Sequence, residues 1–141
     1  MRATFLLTLL LIIGCSHSES PHDVYERYVQ LEISGITVEQ FMGSYTRRKQ
    51  LEIESAVKDA MAKNGLSREE TIKAYLPVFQ RFAKCKNLDF LDEEIEGEKA
   101  VISYKSTDDC TEGQINVKKE IIYMLYEDGS WKIDSNDIQE L

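Results

Sequence analysis

Ile115-Asn116-Val117-Lys118-Lys119-Glu120-Ile121-Ile122-Tyr123-Met124-Leu125-Tyr126-Glu127-Asp128-Gly129-Ser130-Trp131-Lys132-Ile133 is the stretch on which the fold class turns. Ile115, Val117, Ile121, Tyr123 and Leu125 recur at every second position, interrupted on that face only by Lys119. That period is the mark of a long strand with one buried side. Asp128-Gly129 is a two-residue hairpin signal, and Trp131 and Ile133 return as a short final strand.

Upstream the same period continues. Ala100, Ile102 and Tyr104 alternate as one face of a strand, Glu96-Gly97-Glu98 is a turn, and Leu88 to Ile95 reads as a further strand. Thr107 to Gly113 is read as a polar loop carrying Cys110. The C-terminal half is therefore an antiparallel meander of about four strands.

Ahead of it the period becomes helical. Asp23 can cap a helix reaching about Ile33, with Val24, Tyr28 and Leu31 on one face and Tyr25 and Val29 beside it; Ser34-Gly35 ends it. Thr37 and Gln40 form a capping box for a second segment, with Gly43-Ser44 as a kink or break. Its apolar phase resumes at Ile53, Ala56, Val57, Ala60 and Met61, and Asn64-Gly65 closes it. Ser67 and Glu70 form another capping box, opening a helix with Ile72, Tyr75, Leu76, Phe79, Phe82 and Ala83. Pro77 inside it predicts a kink or two shorter helices. Helices first and a meander after them give an α+β class, with N-terminal helices packed on a curved antiparallel sheet.

At the N-terminus, Arg2 precedes an apolar run from Ala3 to Ile13 that ends at Gly14 and Cys15. The run is short for a membrane span and has the layout of an export signal. Ile12-Ile13-Gly14-Cys15 resembles the lipobox of bacterial lipoproteins. The resemblance implies that residues 1–14 are a signal peptide, that Cys15 is lipidated and membrane-attached, and that residues 15–22 are a flexible tether ahead of one domain, 23–141. Each buried acyl methylene contributes about 0.8 kcal/mol to membrane binding, so two or three chains hold a protein on a bilayer. Ser16 follows the Cys, where Asp would favour inner-membrane retention in that family. The expectation is thus the periplasmic leaflet of an outer membrane, or the outer face of the cell membrane where there is only one.

The chain has 141 residues and a formal net charge of −8, and cleavage before Cys15 would remove a further cation, Arg2. Such a surface repels phosphate backbones, so nucleic-acid binding is disfavoured. Solubility is the plain reading of the charge; a basic protein or peptide partner is the sharper one. Beyond Cys15 the cysteines are Cys85 and Cys110. In an oxidising compartment an even pair fits one disulfide, with two separate thiols as the alternative.

With these elements in place, the chain looks like the small NTF2-like (cystatin-like) lipoproteins of bacteria. The resemblance rests on the lipobox, the helix with Tyr25, Tyr28 and Val29, the Gly35 to Phe41 turn, Gly97 to Val101, and Tyr126 to Asp134. It implies a conical fold in which a bent sheet wraps around helices and encloses a cavity. Thr46 to Ser67 departs from the compact pattern in being long and charged.

A cavity enzyme of that kind, an isomerase or dehydratase, needs an acid/base carboxylate facing a hydroxyl. Asp89, with Tyr104 or Tyr123 opposite, is the pair the sequence offers; Asp89 on a solvated strand face is the competing reading. His17 and His22 fall in the tether, which leaves no folded histidine. Asp92, Glu93, Glu94, Glu96 and Glu98 read as a solvated acidic turn without the spacing of a calcium loop. Arg47-Arg48-Lys49 reads as a solvated helix paired locally with Glu52. Tyr25, Tyr28, Phe79 and Phe82 are expected to fill core rather than form a ligand box. No phosphate-cradling loop, metal-ligand spacing or Ser-His-Asp arrangement is present, and no cofactor is expected. The expectation is a non-enzymatic binding or assembly module, with an immunity-type protein against a basic toxin as a variant. The alternatives are a cavity enzyme or a binder of a small apolar ligand.

Overall fold

The computed structural model describes residues 19–111 and 114–141. Four helices precede four strands: α1 (Pro21–Ser34), α2 (Val38–Gly43), α3 (Arg47–Asn64), α4 (Arg68–Lys84), β1 (Lys86–Glu96), β2 (Lys99–Thr111), β3 (Gln114–Glu127) and β4 (Ser130–Glu140). The strands form one open antiparallel sheet in the order β1-β2-β3-β4. The class is α+β. Residues 1–18, on which the expected signal peptide, Cys15 and the first part of the expected tether fall, lie outside the described residues.

Local chemistry sets the helix ends. Helix α1 starts three residues earlier than the sequence suggests, because Ser20 in place of Asp23 is the cap, its Oγ accepting from the Asp23 N–H at 3.1 Å, and Pro21 occupies the first turn. Proline disfavours helix interiors but suits this position, where its missing N–H would have no partner. His22 therefore belongs to α1 and not to a tether. Both expected capping boxes form, Thr37 with Gln40 and Ser67 with Glu70. The Gly43-Ser44 break separates α2 from α3, and Thr46 caps the new helix. Helix α4 runs through Pro77 as one helix and not as two shorter ones. The bond that Pro77 forgoes would have reached the carbonyl of Lys73, and both residues are exposed, so water can satisfy that carbonyl.

Residues 44–46 dock the helices onto the sheet. The Thr46 N–H donates to the Ile133 carbonyl at 3.0 Å, and the Ile133 N–H to the Ser44 carbonyl at 2.9 Å, which covers part of the open edge of β4. Asp134 is the extra residue of a bulge between Ile133 and Ser135. It accepts from the fully buried Thr46 hydroxyl at 2.8 Å and from Arg48 at 2.7 Å. Arg48 and Lys49 also pair with Glu52, as the basic run predicted.

The sheet face under the helices carries Ala100, Ile102 and Tyr104 from β2, as the alternation there indicates. Register places Met124, Ile122 and Glu120 directly beside them. The buried side of β3 is thus the even-numbered set, opposite to the one its apolar period suggests. Ile122 and Met124 are 1 % exposed, whereas Val117 and Tyr123 are 39 % exposed on the other face and Ile115 72 %. Two further strands run longer than expected. Residues 107–111 extend β2 instead of forming a loop, pairing Thr107 with Val117, and β4 continues well past Ile133. The acidic residues 92–96 lie within β1, where charge protects an open edge from pairing with other chains.

Candidate functional site

Between the helices and the sheet lies a cavity of about 360 Å³. Its walls are largely apolar: Val29 from α1, Phe41 from α2, Ile53 from α3, Phe79 and Phe82 from α4, and Ile122 from β3. Phe41 and Phe79 stack with ring centroids 5.5 Å apart. The volume is in the range of pockets that take small organic ligands.

Polar groups converge at one part of this wall. Tyr25, Tyr28 and Glu32 follow one another at helical spacing on α1, and all three line the cavity. The Tyr28 hydroxyl donates to Glu32 Oε1 at 2.6 Å and lies 2.8 Å from the Tyr45 hydroxyl. Since Tyr28 has one proton and gives it to Glu32, Tyr45 donates to Tyr28, which makes a directed chain of three groups. On the sheet, Glu120 is 3 % exposed and both of its oxygens accept from Lys86 Nζ at 3.1 Å. A carboxylate buried to that degree needs its counter-ion, and Lys86 at the start of β1 supplies it.

Burial pushes the Glu32 carboxyl above the usual carboxylate range; the Tyr28 hydroxyl and Lys86 oppose this and Glu120 adds to it. Burial likewise raises Tyr28 far beyond its ordinary value, and Tyr45 up to about 12, so both phenols are neutral donors at any physiological pH. A carboxyl that binds its proton more tightly folded than unfolded makes stability fall as pH rises from the ordinary carboxylate range through the raised value. Glu32→Gln keeps an acceptor for Tyr28 and is expected to melt higher than the wild type near pH 8, with the difference vanishing near pH 4. Melting curves across that range check it; a variant that melts lower at pH 8 would contradict the burial argument.

The residues proposed from sequence are placed apart. Asp89 is exposed and pairs in register with Lys105, on the face away from the helices. Tyr123 is on that same outer face, beside Val101 and Ser135. Tyr104 is 1 % exposed on the inner face, where alternation turns it away from Asp89. The Asp89–tyrosine pair therefore does not form. Tyr104 meets His22 instead, its hydroxyl 2.9 Å from Nδ1, while the His22 backbone N–H donates to Glu93 at 2.7 Å. His22 also packs on Phe90, ring centroids 4.3 Å apart, so the domain does contain a folded histidine. Tyr25 and Tyr28 are buried as core residues would be, yet they line the cavity together with Phe79 and Phe82, which are 37 % and 47 % exposed. Cys85 and Cys110 lie at disulfide distance, Cα to Cα 5.1 Å, and join the end of α4 to β2.

Glu32, Glu120, Lys86 and Tyr45 were not singled out as site residues from sequence, and Tyr28 was read as core. The spacing of Tyr28 and Glu32 on one helix face was legible; Glu120 was hidden by the misleading phase of β3. Among the described residues no set of three or more His, Cys, Asp or Glu is grouped to hold a metal ion, and no helix is long and apolar enough to cross a membrane. Comparison with protein-family models, curated proteins and solved structures finds no match.

Proposed function

We propose that this chain is a lipid-anchored envelope protein whose NTF2-like domain holds a small amphipathic molecule in the cavity between its helices and its sheet. The anchor is Cys15, exposed to acylation by cleavage after Gly14, and the location is the periplasmic leaflet of an outer membrane or the outer face of a single membrane. The observation that carries the binding reading is the 360 Å³ cavity itself, with aromatic and aliphatic walls and one polar cluster at Glu32 and Tyr28. Walls of that kind supply affinity through apolar burial, and a few fixed polar groups orient what is bound. The order of helices before a four-stranded meander supports the NTF2-like assignment. The tether makes proximity to a bilayer part of the function.

Titration with the neutral fluorophore N-phenyl-1-naphthylamine tests the cavity. Saturable one-to-one binding is expected, lost in Val29→Trp, which fills the space from α1 with melting temperature retained. Absence of saturable binding, or binding indifferent to Val29→Trp, would count against the reading. For the anchor, Cys15→Ser is expected to abolish metabolic acyl labelling and leave the precursor uncleaved; label retained on the variant would overturn that assignment.

Acid–base catalysis in the same cavity is a second reading, favoured by the Tyr45–Tyr28–Glu32 chain, with Glu32 in the role first given to Asp89. Chemical change of a molecule carried by the wild-type protein, absent with Glu32→Gln, separates catalysis from binding.

A further inference from the structure

Four formally charged side chains line the cavity: Glu32, Lys49, Lys86 and Glu120. Three of them are already neutralised by a partner. Lys86 holds Glu120 at 3.1 Å, and Lys49 Nζ lies 2.9 Å from Glu52 on its own helix. Glu32 alone among them has no ion pair among the described residues. Its Oε1 accepts from Tyr28 and its Oε2 takes no hydrogen bond there. The surrounding walls are π-faces and phenol oxygens, with six aromatic rings contributed by Tyr25, Tyr28, Phe41, Tyr45, Phe79 and Phe82.

A partly buried carboxylate with a spare oxygen and no direct ion pair, Lys86 acting on it only from its place on Glu120, selects a cation that can donate a hydrogen bond. Aromatic faces attract the same charge through their quadrupoles and take a hydrocarbon body by apolar contact. A metal ion would find one uncommitted carboxylate, Glu32, since Glu120 is held by Lys86. An anion would have to displace Glu120 from Lys86, or Glu52 from Lys49, and would face Glu32 uncompensated.

We infer that the cavity selects a small primary amine with an apolar or aromatic body, its ammonium group paired with Glu32 Oε2 and its body lying between Phe41, Phe79 and Phe82. The inference rests on the cavity-binding reading above and adds the ligand's charge. Burial raises the affinity of Glu32 for its proton, which gives the pairing a pH signature. An ammonium ion binds only the ionised carboxylate, so affinity for the amine falls on acidification through the range in which Glu32 titrates.

Calorimetric titration of the full mature protein with 4-phenylbutylamine, 4-phenylbutan-1-ol and 4-phenylbutyrate tests this, since the three share a body and differ in charge. At pH 8 the amine is expected to bind at least about tenfold more tightly than the alcohol, and the butyrate most weakly. Glu32→Gln should bring amine and alcohol within about threefold, by weakening the amine more than the alcohol. From pH 8 to pH 5 the amine should weaken in the wild type and stay level in Glu32→Gln. Equal binding of amine and alcohol, or tightest binding of the butyrate, overturns the inference and leaves the cavity reading standing. Amine preference that survives Glu32→Gln overturns it also. Failure of all three probes while N-phenyl-1-naphthylamine binds refutes the charge assignment alone; failure of the naphthylamine as well removes the cavity reading beneath it.

Discussion

Met124→Ala is expected to destabilise the domain by about 3 kcal/mol, whereas Tyr123→Ala, one residue away on the same strand, is expected to cost about 1 kcal/mol or less. Met124 is 1 % exposed and sits between Ala100 on β2 and Ile133 on β4, both buried. Truncation there removes apolar contacts on two sides and leaves a void that a two-sided strand environment cannot close. Tyr123 projects from the opposite face, 39 % exposed, with Val101 and Ser135 as its cross-strand neighbours. Urea unfolding of the two variants reads the difference directly. The apolar period of β3 taken alone forecasts the reverse order, so a larger loss for Tyr123→Ala would mean that the strand is registered with the other face inward.

Loss of the Cys85–Cys110 bridge is the second large effect. The cysteines are 25 residues apart, and in the chain-entropy model closing such a loop restricts the unfolded chain by about 3.5 kcal/mol. For a domain of this size that corresponds to a fall in melting temperature of about 10 °C. The bridge ties the last turn of α4 to β2, next to a hydrogen bond from the Asp109 N–H to the Cys85 carbonyl at 3.1 Å. Phe82, Ala83 and Lys86 flank Cys85 in sequence and line the cavity, so the loosened end is also an end of the binding site. A Cys85→Ala, Cys110→Ala double variant should therefore melt lower and bind N-phenyl-1-naphthylamine more weakly. Melting unchanged by reductant, together with two alkylatable thiols in the native protein, would show that the cysteines are not joined.

Where reading from sequence succeeds and where it fails has a single physical pattern here. Capping boxes at Thr37 and Ser67, the left-handed Gly65 after α3 and the Asp128-Gly129 turn are local devices whose geometry involves three or four neighbouring residues. They were legible for that reason. Leu88 to Ile95 was legible as a strand, but the polar 107–111 segment read as a loop because strand pairing is made by a partner: Thr107 with Val117 and Asp108 with Asn116. Backbone bonds to a neighbour strand hold such polar segments extended whatever their composition.

The candidate site failed to emerge for a related reason. Glu120 belongs to the set Glu120-Ile122-Met124, which has fewer apolar members than Ile115-Val117-Ile121-Tyr123-Leu125. β3 is a central strand with apolar residues on both faces; even Ile121, on the outer side, is only 8 % exposed. Its own period cannot then decide which face meets the helices. The decision comes from β2, whose Ala100, Ile102 and Tyr104 are unambiguous and whose register carries Met124, Ile122 and Glu120 to the same side.

By itself the amino-acid order determined the class of the fold, the helix ends at Thr37, Gly65 and Ser67, and the meander with its Asp128-Gly129 turn, because each depends on interactions within a few residues along the chain. Only the tertiary structure decided which face of β3 is buried, that His22 is folded against Tyr104, and that Glu32, Tyr28, Tyr45, Glu120 and Lys86 meet in one cavity. These depend on groups up to about a hundred residues apart whose burial and pairing follow from register and from helix docking through residues 44–46, and neither is encoded in local periodicity.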